Sequence, residues 1–413
     1  MMKICDIKVE KKEAAIIIVL LFLLIADNIK QFFGVNILTT GIHLYMYIFL
    51  PFFICIFFRR RPLHIDTTNL LFVAIFILIT INVLLHKDEI IWSMSKYKAF
   101  IMSMLAFMSV KILVSIYNGE RLSFKIVNGL VICNSVLLLL FILLNFKELV
   151  TNFKLNYRFE TEALNPIWLG RIVSETMLSY LILWNNTAKK SLKYLIVAFE
   201  ILLLFVLILT GSKGPLFSLF VVVFLYYVVI SRKKNRYVDK RQIMFLLVIF
   251  FSIVVLMFIV NQGELRFIAE RFSLASIFNS AQGHRVHRYL FTISNIPQHF
   301  LGGFGLGSWG DYYWGIEQFD YPHNILLEIQ FEIGLLGSLL FILIIYKILF
   351  CSKWKDNVFL FYFVLELGFA FFSGDFCGGN RGLFLYMGAV SGYAIIRKKQ
   401  KRNEYQKLNM VTK

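Results

Sequence analysis

Unbroken apolar blocks decide the fold of this chain, and the first of them reads Ile16-Ile17-Ile18-Val19-Leu20-Leu21-Phe22-Leu23-Leu24. Similar blocks of about 17 to 20 residues recur between short polar stretches, and a block of that length crosses a bilayer as one helix. The strands of a membrane barrel alternate apolar and polar residues, which these blocks do not. The sequence therefore predicts an all-α membrane protein.

The composition of the whole chain agrees with this prediction. Of its 413 residues, 59% are hydrophobic and 44 are phenylalanine, far beyond the apolar content of a soluble domain. We predict a polytopic helix bundle of about 12 transmembrane helices. The predicted spans cover residues 14–26, 42–58, 69–85, 99–117, 126–144, 167–184, 194–210, 215–230, 243–260, 324–350, 357–372 and 382–396.

The distribution of positive charge indicates how the chain is oriented. The net charge is +18, but Lys and Arg concentrate at the ends of the predicted spans, which favours an orientation signal over a nucleic-acid site. Basic groups such as Arg59-Arg60-Arg61 and Arg232-Lys233-Lys234 lie on the same side as both termini, which we assign to the cytoplasm. The loops on that side are short and lack a P-loop, so an ATP-driven pump is not expected.

Of the segments that this orientation places outside the cytoplasm, three are of interest: residues 145–166, the turn at 211–214, and residues 261–322. We predict a single integral membrane domain over residues 1–413, with one large periplasmic loop at 261–322 within it. A long loop held by a rigid scaffold commonly carries function.

Several cations fall on this outer side. Arg285 and Arg288 share one face if their segment is helical, and two guanidiniums on one face suit a phosphate or pyrophosphate. The alternative is an interfacial helix whose arginines touch lipid headgroups. Arg171 lies just inside an apolar span, where a charge is costly and therefore indicates function. Lys213 lies in a tight outer turn, where a cation works against the orientation rule.

Other outer residues allow two interpretations each. His323 precedes an apolar span and can exchange protons near neutral pH, although a lone histidine is often structural. The aromatic residues between 309 and 321 suit either sugar stacking or the interfacial belt. Residues 305–310 fit G-x-G-x-x-G, but no βαβ unit surrounds them, so we predict a tight turn and no dinucleotide site. Arg381, close to Asp375, is interpreted as a surface ion pair.

Four stretches together form an ordered pattern: Arg158 with Asn165-Pro166, the turn Thr210-Gly211-Ser212-Lys213-Gly214, Gly283-His284-Arg285 followed by Pro297 and the glycines at 302–307, and His323-Asn324 followed by Gly334-Leu335-Leu336-Gly337. This order resembles the O-antigen ligase and polymerase superfamily of bacterial surface-polysaccharide enzymes, and most resembles an O-antigen polymerase. Lys213 stands where that family usually has arginine. Lysine keeps the positive charge but lacks the two parallel N–H donors of a guanidinium.

The resemblance implies a GT-C-like bundle in the bacterial inner membrane and a glycosyltransferase of lipopolysaccharide biosynthesis. An O-antigen polymerase would join repeat units carried on undecaprenyl diphosphate at the periplasmic face. The alternative within the superfamily is an O-antigen ligase, which would transfer the glycan to lipid A core. The implied partners are the lipid-linked oligosaccharide, membrane lipids and a chain-length regulator, with no nucleic acid, cofactor or metal.

Roles for individual residues follow from this resemblance. Arginines would stabilise the charge that grows on the leaving diphosphate, and a histidine would orient or deprotonate the attacking hydroxyl. We predict the catalytic residues to be His323, Arg285 and Arg171. We predict the substrate-binding residues to be Arg158, Lys213, Arg288 and Asn324.

Two other classes are compatible with a polytopic chain. A polysaccharide flippase would need a charged path near the bilayer midplane and often shows repeat symmetry, neither of which is evident in the sequence. A scaffolding membrane protein would tolerate the loss of Arg285 and His323, whereas an enzyme would not.

Overall fold

A computed structural model describes residues 2–33, 66–86, 89–117, 121–154, 165–187, 189–233, 284–351 and 357–411. All regular secondary structure within these ranges is helical, which confirms the predicted fold class. The α-helices are α1 (Met2–Phe33), α2 (Thr67–His86), α3 (Ser93–Ile116), α4 (Leu122–Leu144), α5 (Phe146–Lys154), α6 (Pro166–Asn186), α7 (Lys190–Leu209), α8 (Lys213–Lys233), α9 (His284–Asn295), α10 (Trp309–Trp314), α11 (Ile325–Glu332), α12 (Gly334–Cys351), α13 (Phe359–Phe372) and α14 (Arg381–Val411).

Four of these helices, α2, α3, α4 and α7, are long and apolar enough to cross a membrane. Shorter apolar helices lie within α8, α12 and α13. The chain is therefore an integral membrane protein. The predicted spans 42–58 and 243–260 lie outside the described residues, as does the first part of the predicted loop, 261–283. The total of about twelve spans stays a prediction.

The predicted span 324–350 is wrong, because it consists of two helices, α11 and α12, that break at Gly334. Gly334 has φ +80°, and a Cβ atom there would lie 2.2 Å from the carbonyl oxygen of Leu301. Only glycine permits this close approach of the loop that contains Leu301. The residues directly beside Gly334, Ile333 and Leu335, are apolar, and a hydropathy average over the segment does not show where its helix breaks.

The bundle is built from pairs of closely packed helices. The most extensive pair is α3 with α14, and further pairs are α8 with α13, α6 with α7, and α4 with both α1 and α6. Gly388 and Gly392 of α14 face α3, where a Cβ on Gly388 would lie 2.4 Å from the oxygen of Phe107. Small residues four apart allow two membrane helices to approach at backbone distance.

The turn between α13 and α14 is fixed by contacts that hydropathy did not predict. Arg381 pairs with Asp27 of α1 at 3.0 Å, and both side chains are largely buried. Asp375 instead accepts the backbone N–H groups of Cys377, Gly378 and Gly379. The predicted surface pair of Arg381 with Asp375 is therefore wrong, since sequence proximity does not determine which carboxylate a guanidinium faces.

Candidate functional site

Arg288 is held in place by the loop that precedes α11. Its Nη1 donates to Asp320 Oδ1 at 2.6 Å and to the carbonyl oxygen of Tyr321 at 2.8 Å. The Arg288 guanidinium also lies 5.3 Å from the ring of the fully buried Trp309. Hydrogen bonds from Arg288 and Trp314 hold the pKa of Asp320 below its ordinary value, despite burial. Arg288 therefore fixes the loop. The Asp320 carboxylate occupies part of the anion site that the sequence predicts between Arg285 and Arg288.

Arg285 differs from Arg288, one turn further along the same helix. It is partly buried, yet within the described part of the chain it has no hydrogen bond or ion pair. Burial lowers the pKa of Arg285, and the nearby charge of Arg288 acts in the same direction. A guanidinium nevertheless stays protonated at physiological pH. Arg285 is therefore a positive charge available to an anion.

His323 combines three unusual features. Its φ is +62°, in the left-handed region that non-glycine residues rarely adopt. Its Nδ1 atom is buried without a hydrogen-bond partner in the described structure, a state that calls for an explanation. Burial first, and then the charges of Arg285 and Arg288, lower the pKa of His323 to about 3. The imidazole is therefore neutral and able to accept a proton.

This low pKa predicts the pH dependence of a reaction that uses His323 as a base. An ordinary histidine loses its basic form as the pH falls through 6.5, whereas His323 keeps it down to about pH 3. We expect kcat/KM, which reports the free enzyme, to show no histidine-like fall between pH 8 and pH 5. Initial rates in buffers of constant ionic strength would test this. A one-proton loss with a midpoint near 6.5 would contradict it.

Arg171 is 5% exposed and binds the turn between α13 and α14. Its Nη1 donates to the oxygen of Gly379 at 3.1 Å, and its Nη2 donates to Ser373 and to Asn380 at 2.6 Å and 3.1 Å. Its positive charge also lowers the pKa of His323. The structure thus brings Arg171, Arg285, Arg288 and His323 to one side of the protein. The predicted contact of Arg171 with the leaving group stays a prediction, because its donors mainly hold the turn.

The remaining predicted residues fall into three situations. Asn324 is the N-cap of α11, and its side chain accepts the N–H groups of Leu326 and Leu327 at 3.1 Å and 3.2 Å. Lys213 is the first residue of α8 and is partly buried. Arg158 lies outside the described residues. The binding roles predicted for these three residues stay predictions.

A largely apolar cavity of about 450 Å³ opens next to Asn324 and Tyr289. The two polar residues stand beside walls built from α8 and α13. The lining consists of Phe217, Ser218, Val221, Tyr289, Asn324, Val364, Leu367, Gly368, Phe371 and Phe372. The Tyr289 hydroxyl also donates to the carbonyl oxygen of His323 at 3.3 Å, so the cavity adjoins the histidine. This arrangement suits a ligand with a long apolar part and a polar head.

Sequence reasoning missed Tyr289 and Tyr321, which surround the histidine. Tyr289 lies four residues after Arg285 on the same helix, a spacing that could have indicated a shared face. The Tyr321 ring lies 4.6 Å from that of His323 in an edge-on contact. Burial raises the pKa of Tyr321 to about 12, so its hydroxyl stays protonated. No local signal separates Tyr321 from the other aromatic residues of the loop.

The aromatic residues of the loop divide between the two interpretations. Trp309 is fully buried, stacks on Tyr313 with ring centroids 4.6 Å apart, and donates from Nε1 to Thr292 at 2.8 Å. By contrast, Tyr312 and Trp314 are 53% and 42% exposed. The buried rings build the loop, and the exposed rings suit either an interfacial belt or a sugar.

Comparison with known proteins adds one match. Residues 198–342 match the family model described as O-Antigen ligase, a stretch that contains Arg285 and His323 but not Arg171. The match confirms the predicted resemblance to the O-antigen ligase and polymerase superfamily. Proteins of this family are glycosyltransferase-like membrane enzymes. No curated protein and no solved structure matches the chain.

Proposed function

From this family resemblance, we propose that the protein is an O-antigen polymerase of the bacterial inner membrane. It joins undecaprenyl-diphosphate-linked repeat units at the periplasmic face, with both termini in the cytoplasm. The observation that carries the proposal is a guanidinium, Arg285, that has no hydrogen-bond or ion-pair partner among the described residues and whose charge acts on the neutral, partly buried imidazole of His323. An anion-binding group and a base are the two functions that transfer from a sugar diphosphate requires.

The leaving group determines the role of Arg285. When the bond between sugar C1 and the diphosphate oxygen breaks, its electron pair stays on the diphosphate, which gains negative charge. A guanidinium fixed in a partly buried site stabilises this charge more in the transition state than in the bound donor. Arg285 is suited to this role because no described carboxylate neutralises it. Arg288, whose Nη1 binds Asp320, supports the site mainly by fixing the loop.

His323 acts on the other reactant. A sugar hydroxyl of the acceptor attacks C1, a new C–O bond forms, and the hydroxyl proton passes to the imidazole. The His323 side chain is partly exposed, so a ring nitrogen on its accessible side is suited to accept that proton. Burial and the positive charges around His323 keep it neutral before the reaction, and the negative charge of a bound diphosphate would offset those charges and raise its pKa toward the range of an effective base. The proton then returns to the leaving diphosphate or to water.

The apolar cavity supports a lipid-linked donor. Its walls of phenylalanine, valine and leucine from α8 and α13 suit a prenyl chain, and its polar end adjoins His323 through Tyr289. A donor that lay here with its diphosphate toward Arg285 would keep its hydrocarbon inside the bundle. A nucleotide-sugar donor offers no apolar tail for such a cavity.

The second candidate is an O-antigen ligase, which the description of the matching family model favours. The two functions differ in the lipopolysaccharide of a deletion strain. Loss of a polymerase should leave core capped with a single repeat unit, whereas loss of a ligase should leave uncapped core. We expect the single-unit band on a lipopolysaccharide gel, with the full ladder restored by a plasmid copy. A normal ladder in the deletion strain would exclude both functions.

A further inference from the structure

A buried ionic cluster joins α3 to α11 below the candidate site. The Nζ atom of Lys96 lies 2.5 Å from Glu328 Oε1, and 2.7 Å and 2.8 Å from the two carboxylate oxygens of Glu332. The three residues are 2%, 0% and 1% exposed. The two glutamates are four residues apart, so they share one face of α11. Two carboxylates and one ammonium this deep are stable only in close, well-ordered contact.

Each carboxylate also holds one of the outer loops. Glu328 Oε2 accepts the N–H of Phe376 at 2.9 Å, in the turn whose carbonyl oxygens bind Arg171. Glu332 accepts the N–H groups of Gly307 and Trp309 in the loop before α10. The guanidinium of Arg288, on α9, lies over the ring of this Trp309. The cluster of Lys96, Glu328 and Glu332 therefore links the turn between α13 and α14 to the loop before α10. The link runs through α11, which begins directly after His323 and Asn324.

We propose that Lys96 is a positioning residue. It fixes the positions of α11 and of both loops relative to one another, and thereby places the His323 imidazole relative to the arginines. This inference rests on the proposed function for its catalytic consequence, but the ionic link itself is independent of it. His323 needs such a support because its left-handed backbone persists only where the surroundings determine it. Lys96 itself touches neither donor nor acceptor.

A second buried lysine on the same helix offers a matched control. Lys111 is 3% exposed and pairs with Asp66 at 2.8 Å, about four turns further along α3. Its side chain is about as buried as that of Lys96 and pairs with one carboxylate, but the described structure gives it no contact with α11 or with residues 302–309 and 373–380. A general requirement for buried charge in α3 would affect both lysines alike, whereas a positioning role affects Lys96 alone.

The experiment compares four variants of the full-length protein in membranes. Transfer is measured with the lipid-linked repeat unit extracted from cells that lack the protein. We expect Lys96→Met and Glu332→Asp to lower kcat about 10- to 100-fold with little change in the donor KM, because small misplacements slow chemistry more than binding. Glu332→Asp retains every charge, so it tests position even if Lys96→Met accumulates poorly. Glu332→Gln keeps the side-chain length but loses the charge and one of the two acceptors that face Lys96, so its kcat should also fall, whereas Lys111→Met should stay within roughly threefold of wild type.

Hydrogen exchange supplies a readout that needs no transfer activity. We expect residues 302–309 and 373–380 to exchange faster in the Lys96→Met and Glu332→Asp variants, but not in Lys111→Met. Normal kcat in Glu332→Asp, a loss confined to KM, or an equal loss in Lys111→Met would overturn the positioning role. If the wild-type protein transfers no glycan, the proposed function fails, and hydrogen exchange alone then decides whether Lys96 orders the loops.

Discussion

Replacement of Arg285 by alanine is expected to lower glycan transfer by about 100- to 1,000-fold, the usual cost of removing a group that stabilises transition-state charge. The reason is that Arg285 is partly buried and has no carboxylate partner among the described residues, so its whole charge is available to the diphosphate. No hydrogen bond joins this guanidinium to another described residue. Membrane level and melting temperature in detergent should therefore stay close to those of the wild type.

Two further variants separate charge from geometry and from surface potential. Arg285→Lys keeps the charge but loses the planar fork, and we expect a loss of about tenfold, close to one charge-assisted hydrogen bond of about 1.5 kcal/mol. Lys147→Ala removes an exposed cation from α5, in the predicted outer segment, and should have no effect. The measurement is the rate of chain extension in membranes. Full activity of Arg285→Ala at normal membrane level would remove this residue from the mechanism.

Replacement of His323 by glycine is expected to lower transfer by about 10² to 10⁴-fold, the range for losing a general base. Glycine is the informative substitution because His323 has φ +62°, a conformation that glycine adopts without strain. Its main-chain contacts, including the bond from Tyr289 to its carbonyl oxygen, can persist. A loss of activity with an unchanged melting temperature then reports the missing imidazole rather than misfolding.

The control for this backbone argument is Arg121→Gly. Arg121 also has positive φ, at +58°, but it precedes α4 at the predicted cytoplasmic side. It should therefore keep full transfer activity. His323→Asn adds a second test, since asparagine tolerates the left-handed conformation but cannot accept the hydroxyl proton as imidazole does. If His323→Gly retained wild-type rates, the base would have to be another group.

The fold class was predictable from the sequence. Apolar blocks such as 69–85 and 126–144 become α2 and α4, because the cost of placing a segment in hydrocarbon depends on its own residues. The segment around Arg285 becomes α9, and Asn324 caps α11, since helix formation and capping are also local. The break at Gly334 was not predictable, because it depends on Leu301 of a distant loop.

Which of the outer cations is available to a ligand was decided only by tertiary structure. Arg288 binds Asp320, which is 32 residues away, and Arg171 binds the turn at Gly379, which is 208 residues away, whereas Arg285 has no described partner. Lys96 meets Glu332 across 236 residues. A sequence pattern records the charge of each residue and the face of its helix. The partner that neutralises a charge, and the burial that shifts a pKa, exist only after distant segments have packed together.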